Sequence, residues 1–162
     1  MFPAATIDLA ERVLTKAREK NIRIATAESC TGGLIAASLT EVAGSSDVVE
    51  AGFTVYANEA KTRLLGVPPE TIAHYGAVSE DVARAMAKGA LDHSRANLSV
   101  AVTGIAGPGG GTALKPVGLV HLAAACDGHE VQHQECRFGD IGRSEVRMQT
   151  VDAALKLLLR MM

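Results

Sequence analysis

Three short β-favouring runs in this chain each stop at small, hydroxylated or glycine-rich positions. "IRIATA" runs into "ESCTGG", "VVEAGFTVYA" into "NEAK", and "NLSVAVT" into "GIAGPGGG". Segments with helical spacing separate them. That succession restricts the chain to α/β architectures, in which strands are covered by helices and ligands sit beyond the carboxyl ends of the strands. Ala10, Val13, Leu14 and Ala17 predict a first helix with Thr6 as its N-cap. "GLIAASLTEVAG" predicts a second, ended by Gly44. "NEAKTRLLG" predicts a short helix capped by Asn58, and Ser79 caps a longer one whose first turn holds Glu80 and Asp81. "VGLVHLAAAC" and "EVQHQECRF" flank Asp127-Gly128 as a hairpin, and a last helix buries Val151, Ala154, Leu155 and Leu158. The expected fold is a three-layer α/β/α sandwich with a mixed, mostly parallel sheet, the hairpin supplying one antiparallel pairing. With 162 residues, no repeats and no dividing linker, one domain over 1–162 is expected.

Composition narrows the function. The net charge is -2, aromatic residues make up 3% and tryptophan is absent, which argues against a nucleic-acid partner. No apolar run approaches the roughly 18 residues of a membrane span. The start, "MFPAATIDLAERVL", carries no basic segment followed by an apolar one, so no signal peptide is expected. Cys30, Cys126 and Cys136 are odd in number and form no CxxC pair. Neither disulfides nor a zinc site is expected, and a reducing cytoplasm fits.

Four hydroxyls and thiols crowd "TAESCTGG": Thr26, Ser29, Cys30 and Thr31. Where a strand turns into a helix, the amides of Cys30, Thr31, Gly32 and Gly33 are donors suited to an oxyanion or a phosphate. The alternative is that Ser29 or Thr31 merely caps the helix. A serine nucleophile needs a base. None of the five histidines falls beside one of the three strand ends; His129 and His133 could share a strand face, with a metal site as the lesser alternative, but read more simply as exposed residues of the hairpin. Lys61 is unusual, because a cation in the first turn of a helix opposes the dipole. Dipole and burial would both favour the neutral amine, which can act as a base; the alternative is a solvated surface lysine. Tyr56 stands ready to hold Lys61 or a substrate by its hydroxyl, or to pack at a strand end. Cys30 is a competing nucleophile or a small buried side chain. "TGIAGPGGG" lacks GK[ST] and GxGxxG, so it is neither phosphate loop nor dinucleotide fingerprint. Arg143 and Arg147 are candidate anion contacts or plain surface charges.

Together "TAESCTGG", "AGSSDVVEAGFTVYANEAK", "LLGV", "HYGAVSE", "TGIAGPGGG" and "KPVG" resemble, in order, the CinA C-terminal domain family, whose stand-alone members are nicotinamide-nucleotide amidases. The resemblance runs from about Thr26 to Gly118 and implies the same three-layer fold. It further implies hydrolysis of nicotinamide mononucleotide to nicotinate mononucleotide and ammonia, in pyridine-nucleotide salvage, by a serine/lysine mechanism with no metal and no cofactor. By motif match the nucleophile is Ser29 and the base Lys61, with Tyr56 as a further catalytic position. Cys30, Thr31, Gly32, Gly33, Thr103, Gly104, Gly107, Gly109, Gly110 and Arg143 are expected around the substrate. Gly109 stands where the family often has an acid, and Ala57 where serine is common. Larger members carry an N-terminal pyrophosphatase-type domain, for which this chain is too short. The rival expectation is a catalytically silent nucleotide-binding or adaptor domain linked to competence or DNA damage; a third is an amidase for another small amide. "VVEAGFTV" and "LKLLLRMM" would serve a homodimer interface, or belong to the core.

Overall fold

The sheet places β1 (Ile24–Glu28) at the junction of the chain's two halves. In the computed structural model, which describes residues 1–162, the strand order is β2-β1-β3-β4-β5. The other strands are β2 (Val49–Thr54), β3 (Leu98–Gly104), β4 (Leu119–Cys126) and β5 (Gln132–Arg137). Strands β2 and β3 both run parallel to β1, whereas β4 is antiparallel to both β3 and β5. The sheet is mixed, as expected, and four of its five strands point the same way. It contains a second antiparallel pairing because the segment after β3 brings β4 back alongside β3 itself, so the hairpin extends the sheet.

Helices α1 (Ala4–Glu19), α2 (Leu34–Thr40) and α6 (Arg143–Met161) cover one face; α3 (Asn58–Leu65), α4 (Pro69–Tyr75) and α5 (Glu80–Asp92) cover the other. Alternation along each strand divides the side chains between the layers. Ile24, Val100, Val102, Val120 and Leu122 meet Leu14, Leu39, Leu155 and Leu158 on the first face. The second face is lined by Ala25, Ala27, Ala101, Ala123 and Ala125, so α5 lies close to the sheet. The Ser99 hydroxyl there donates to the Ala87 carbonyl at 2.6 Å. A Cβ on Gly89 would stand 2.0 Å from the Leu65 carbonyl oxygen, so α3 and α5 approach through a position only glycine fits.

Several local expectations shift. Helix α1 starts at Ala4 after Pro3, and Thr6 is an interior residue whose hydroxyl donates to Asp152 of α6 at 2.7 Å. Proline at the entrance supplies a preset φ in place of a side-chain cap. The cap of α3 is Ala57, one residue before Asn58. Ser79 does cap α5, accepting the Val82 amide. Helix α4 was not anticipated, although Pro69 at its start is a helix-entry signal. His133 pairs with His121 rather than His129: the two rings face each other across β4 and β5 with Nδ1 and Nε2 2.9 Å apart. Contrary to expectation, His121 does stand beside a strand end, directly opposite Thr103 in the β3–β4 register.

Candidate active site

Because β2, β1 and β3 are adjacent and parallel, their three unusual carboxyl ends converge. The pairing continues one step beyond the strands: the Ser29 amide donates to Val102 at 3.1 Å, and the Val55 amide to Glu28 at 2.8 Å. Those two bonds fix the residues that carry the site. Strand alternation turns Glu28 towards α2 and Ser29 towards α3.

Lys61 rises from the first turn of α3 to meet Ser29. It is 1% exposed, and its Nζ lies 3.1 Å from Ser29 Oγ. The same nitrogen is 3.1 Å from the carbonyl oxygens of Val55 and Tyr56. Burial pushes the Lys61 pKa below its ordinary value; a negative Cys30 would oppose that. The Cys30 thiol, however, is pushed up to about 12 by its own burial, so it carries no charge near neutrality. A neutral amine has two N–H bonds and one lone pair. Two N–H bonds directed at the Val55 and Tyr56 carbonyls leave the lone pair for the Ser29 hydroxyl proton. The protonated amine has three donors for the same three oxygens, so either state is satisfied without rearrangement.

Glu28 is a buried residue under the site that the sequence reading left unassigned. Its two oxygens accept five hydrogen bonds. The donors are the Thr26 and Thr31 hydroxyls and the amides of Gly33, Ile35 and Ala36. Helix α2 has no side-chain cap of its own, since its cap position is Gly33 in the left-handed region. Glu28 therefore supplies, from the strand, the acceptor that the helix start lacks. The available signal was an acid completing the Ile24, Thr26, Glu28 face of a buried strand just before an uncapped helix.

This arrangement corrects the expected donor set. The Gly33 amide is held by Glu28 and the Gly32 amide by the Ser29 carbonyl at 3.1 Å. The Cys30 amide makes no hydrogen bond in the fold. The Thr31 amide has no acceptor in the fold. Arg147 of α6 donates Nε to the Cys30 carbonyl at 3.1 Å and Nη2 to the Thr31 carbonyl at 2.9 Å.

At the rim, Tyr56 is 62% exposed and its hydroxyl does not reach Lys61; its backbone carbonyl does. Its hydroxyl instead lies 3.3 Å from Arg143 Nη2, while Arg143 Nη1 donates to the Gly107 carbonyl at 2.8 Å. Arg143 thus joins the β2 and β3 exit segments. The Thr103 hydroxyl donates to Ala77 at 2.8 Å, tying β3 to the loop before α5. Gly104 is required by packing, since a Cβ would stand 2.7 Å from Val120 Cγ2, whereas Gly109 faces open space. Gly107 and Gly110 adopt positive φ and bend the loop. No group of His, Cys, Asp and Glu side chains is arranged to hold a metal ion.

The site geometry accompanies clear similarity to known proteins. A family model described as the CinA C-terminal domain matches residues 6–162. Nicotinamide-nucleotide amidohydrolase PncC of Escherichia coli is 45% identical over 159 residues, covering 98% of this chain and 95% of that protein. A CinA-like protein of Akkermansia muciniphila is 49% identical over 155 residues, 96% of this chain and 37% of that one. The chain thus spans between a quarter and two-fifths of the length of the CinA-like relatives it matches. The crystal structure of the competence/damage inducible protein CihA from Agrobacterium tumefaciens superposes with a TM-score of 0.97 at 56% identity, covering 99% of this chain and 97% of that one. A CinA superfamily protein from Klebsiella pneumoniae gives 0.89 at 35% identity, with 94% of each covered. This chain belongs to the CinA C-terminal domain family.

Proposed function

We propose that the chain is a nicotinamide-nucleotide amidase that hydrolyses nicotinamide mononucleotide to nicotinate mononucleotide and ammonia. The observation that carries this reading is the buried Lys61 Nζ 3.1 Å from Ser29 Oγ, with two backbone carbonyls arranged to leave its lone pair on the serine. Its similarity to PncC, a nicotinamide-nucleotide amidohydrolase by name, supports the choice of substrate.

In this mechanism neutral Lys61 takes the Ser29 proton as Oγ attacks the carboxamide carbon. The pyridinium ring withdraws electrons and makes that carbon a better electrophile. The Thr31 amide, assisted by that of Cys30, stabilises the oxyanion; one such donor is typically worth about 3–4 kcal/mol. Collapse of the tetrahedral intermediate breaks the C–N bond, and the Lys61 ammonium delivers its proton to the departing nitrogen. Water, deprotonated by the same amine, then cleaves the Ser29 ester and restores the hydroxyl. The balance is one amide plus one water giving one carboxylic acid and one ammonia. Arg143 is the cation assigned to the substrate phosphate, since it stands at the exposed rim between Tyr56 and Gly107 while Arg147 is committed to carbonyls.

The test is ammonia release from nicotinamide mononucleotide by wild type and by Ser29→Ala. Release by wild type alone is expected. Equal release by both would remove Ser29 from the chemistry. No release by folded wild type would leave a nucleotide-binding domain or an amidase for another amide.

A further inference from the structure

We propose that Arg147 is a positioning residue that aims the Thr31 amide at the oxyanion; the proposal rests on the amidase reading for its kinetic consequences and on backbone geometry for its substance. The Arg147 guanidinium is partly buried, forms none of the ion pairs in the structure, and spends two of its donors on consecutive carbonyls. In a trans peptide the C=O and N–H point in opposite directions across a rigid plane. Holding the Cys30 carbonyl on Arg147 therefore turns the Thr31 N–H away from α6. Holding the Thr31 carbonyl turns the Gly32 N–H in the same sense, where it meets the Ser29 carbonyl at 3.1 Å. One guanidinium fixes two peptide planes, one closing the turn and the other leaving the Thr31 amide, two residues after the nucleophile, without an acceptor.

Glu28 completes the arrangement from the opposite side. It accepts the Thr31 hydroxyl at 2.6 Å. Thr31 is fully buried, with its hydroxyl on Glu28 and its carbonyl on Arg147. Its amide is the one polar group left uncommitted. A buried unpaired amide costs about 1–3 kcal/mol and is a rare feature in a native fold. On the proposed mechanism it gains an acceptor when the carbonyl of a bound amide becomes an oxyanion. Arg147 is thereby separated from Arg143: the latter faces the rim, and the former sets backbone.

The experiment compares wild type, Arg147→Ala and Arg147→Lys in the full chain, with nicotinamide mononucleotide as substrate and millimolar guanidinium chloride as rescue agent. The Thr31 amide is followed by nitrogen-15 NMR. Arg147→Ala is expected to lower kcat by about 10²-fold with KM nearly unchanged, because one transition-state donor is misaimed. Guanidinium should recover part of that loss in Arg147→Ala and none in Arg147→Lys, since an ammonium is a point donor and cannot span two carbonyls as a fork. The Thr31 resonance should shift in both variants and return with guanidinium only in Arg147→Ala. Unchanged kcat, or a rise confined to KM, in a folded variant would overturn the proposal. If wild type releases no ammonia, the amidase reading fails separately, and the Thr31 resonance decides alone: a guanidinium-reversible shift sustains the assignment and an unmoved signal overturns it. Should Arg147→Ala not fold, the Arg147→Lys kcat and Thr31 signal carry the same decision.

Discussion

Replacing Lys61 with methionine is expected to lower ammonia release by about 10²–10⁴-fold, the range that a positioned acid–base group contributes, in a protein that stays folded. Methionine keeps the volume and the unbranched stem of the side chain, so the packing between α3 and β1 survives. Its loss leaves the Val55 and Tyr56 carbonyls without a donor, at a cost of about 1–2 kcal/mol. Removing an amine from a dry site offsets that cost. Circular dichroism and thermal melts of Lys61→Met should therefore stay close to wild type while turnover collapses. Near-normal turnover in the folded variant would end the role of Lys61 as base. The pH dependence of stability has a definite sign. Folded Lys61 has a depressed pKa, so between that value and the ordinary 10.5 the unfolded chain binds more protons than the folded one. Wild-type stability should rise with pH through that window relative to Lys61→Met, and the full penalty applies below it.

The largest stability effect is expected at Glu28. Glu28→Ala removes one acceptor from five buried or partly buried donors at once. Breaking a buried network of that kind costs about 3–5 kcal/mol, against a total of about 5–15 kcal/mol for an ordinary domain. The melting temperature should fall by about 6–20 °C for a chain of this length. Glu28→Gln should recover only part of the loss. Both carboxylate oxygens accept backbone N–H groups, so the glutamine NH₂ must face a donor whichever way it is turned. A Glu28→Ala variant that melts with wild type would show that water satisfies the start of α2 equally well. Of the two substitutions, Lys61→Met separates chemistry from folding, whereas Glu28→Ala acts on stability.

How much of this was legible follows from what local sequence encodes. The three strand ends, the cap at Ser79, the Asp127-Gly128 turn and the buried stripe of α6 follow from periodicity and turn chemistry, which act within a few residues. Lys61 drew notice because it broke a local rule, as a cation in a helix's first turn. That its amine reaches Ser29 depends on β2 lying next to β1, which no local signal specifies. Glu28 went unassigned because its meaning depends on α2 folding over it: a strand-end acid looks like an exposed one until the start of the helix brings three backbone amides to it. Arg147 looked like an anion contact for the same reason, since its carbonyl partners lie more than a hundred residues away. The His121–His133 pair was hidden by topology. The hairpin reading grouped the histidines by chain proximity, but the β4–β5 register sets His121 opposite Glu135 and His133 opposite Ala123, so the two rings meet diagonally across the strands. The Thr31 amide was found only as one of four equivalent donors, because which amides remain free is settled by acceptors elsewhere in the chain.

The account depends most on Lys61 being able to take a proton from Ser29. The direct measurement is the pH titration of the Lys61 side chain by carbon-13 NMR of lysine-labelled protein, with the signal assigned by its disappearance in Lys61→Met. The account predicts a midpoint clearly below the ordinary 10.5, set by burial. A midpoint at or above 10.5 would make Lys61 a permanent cation at working pH, and Ser29 would have no base.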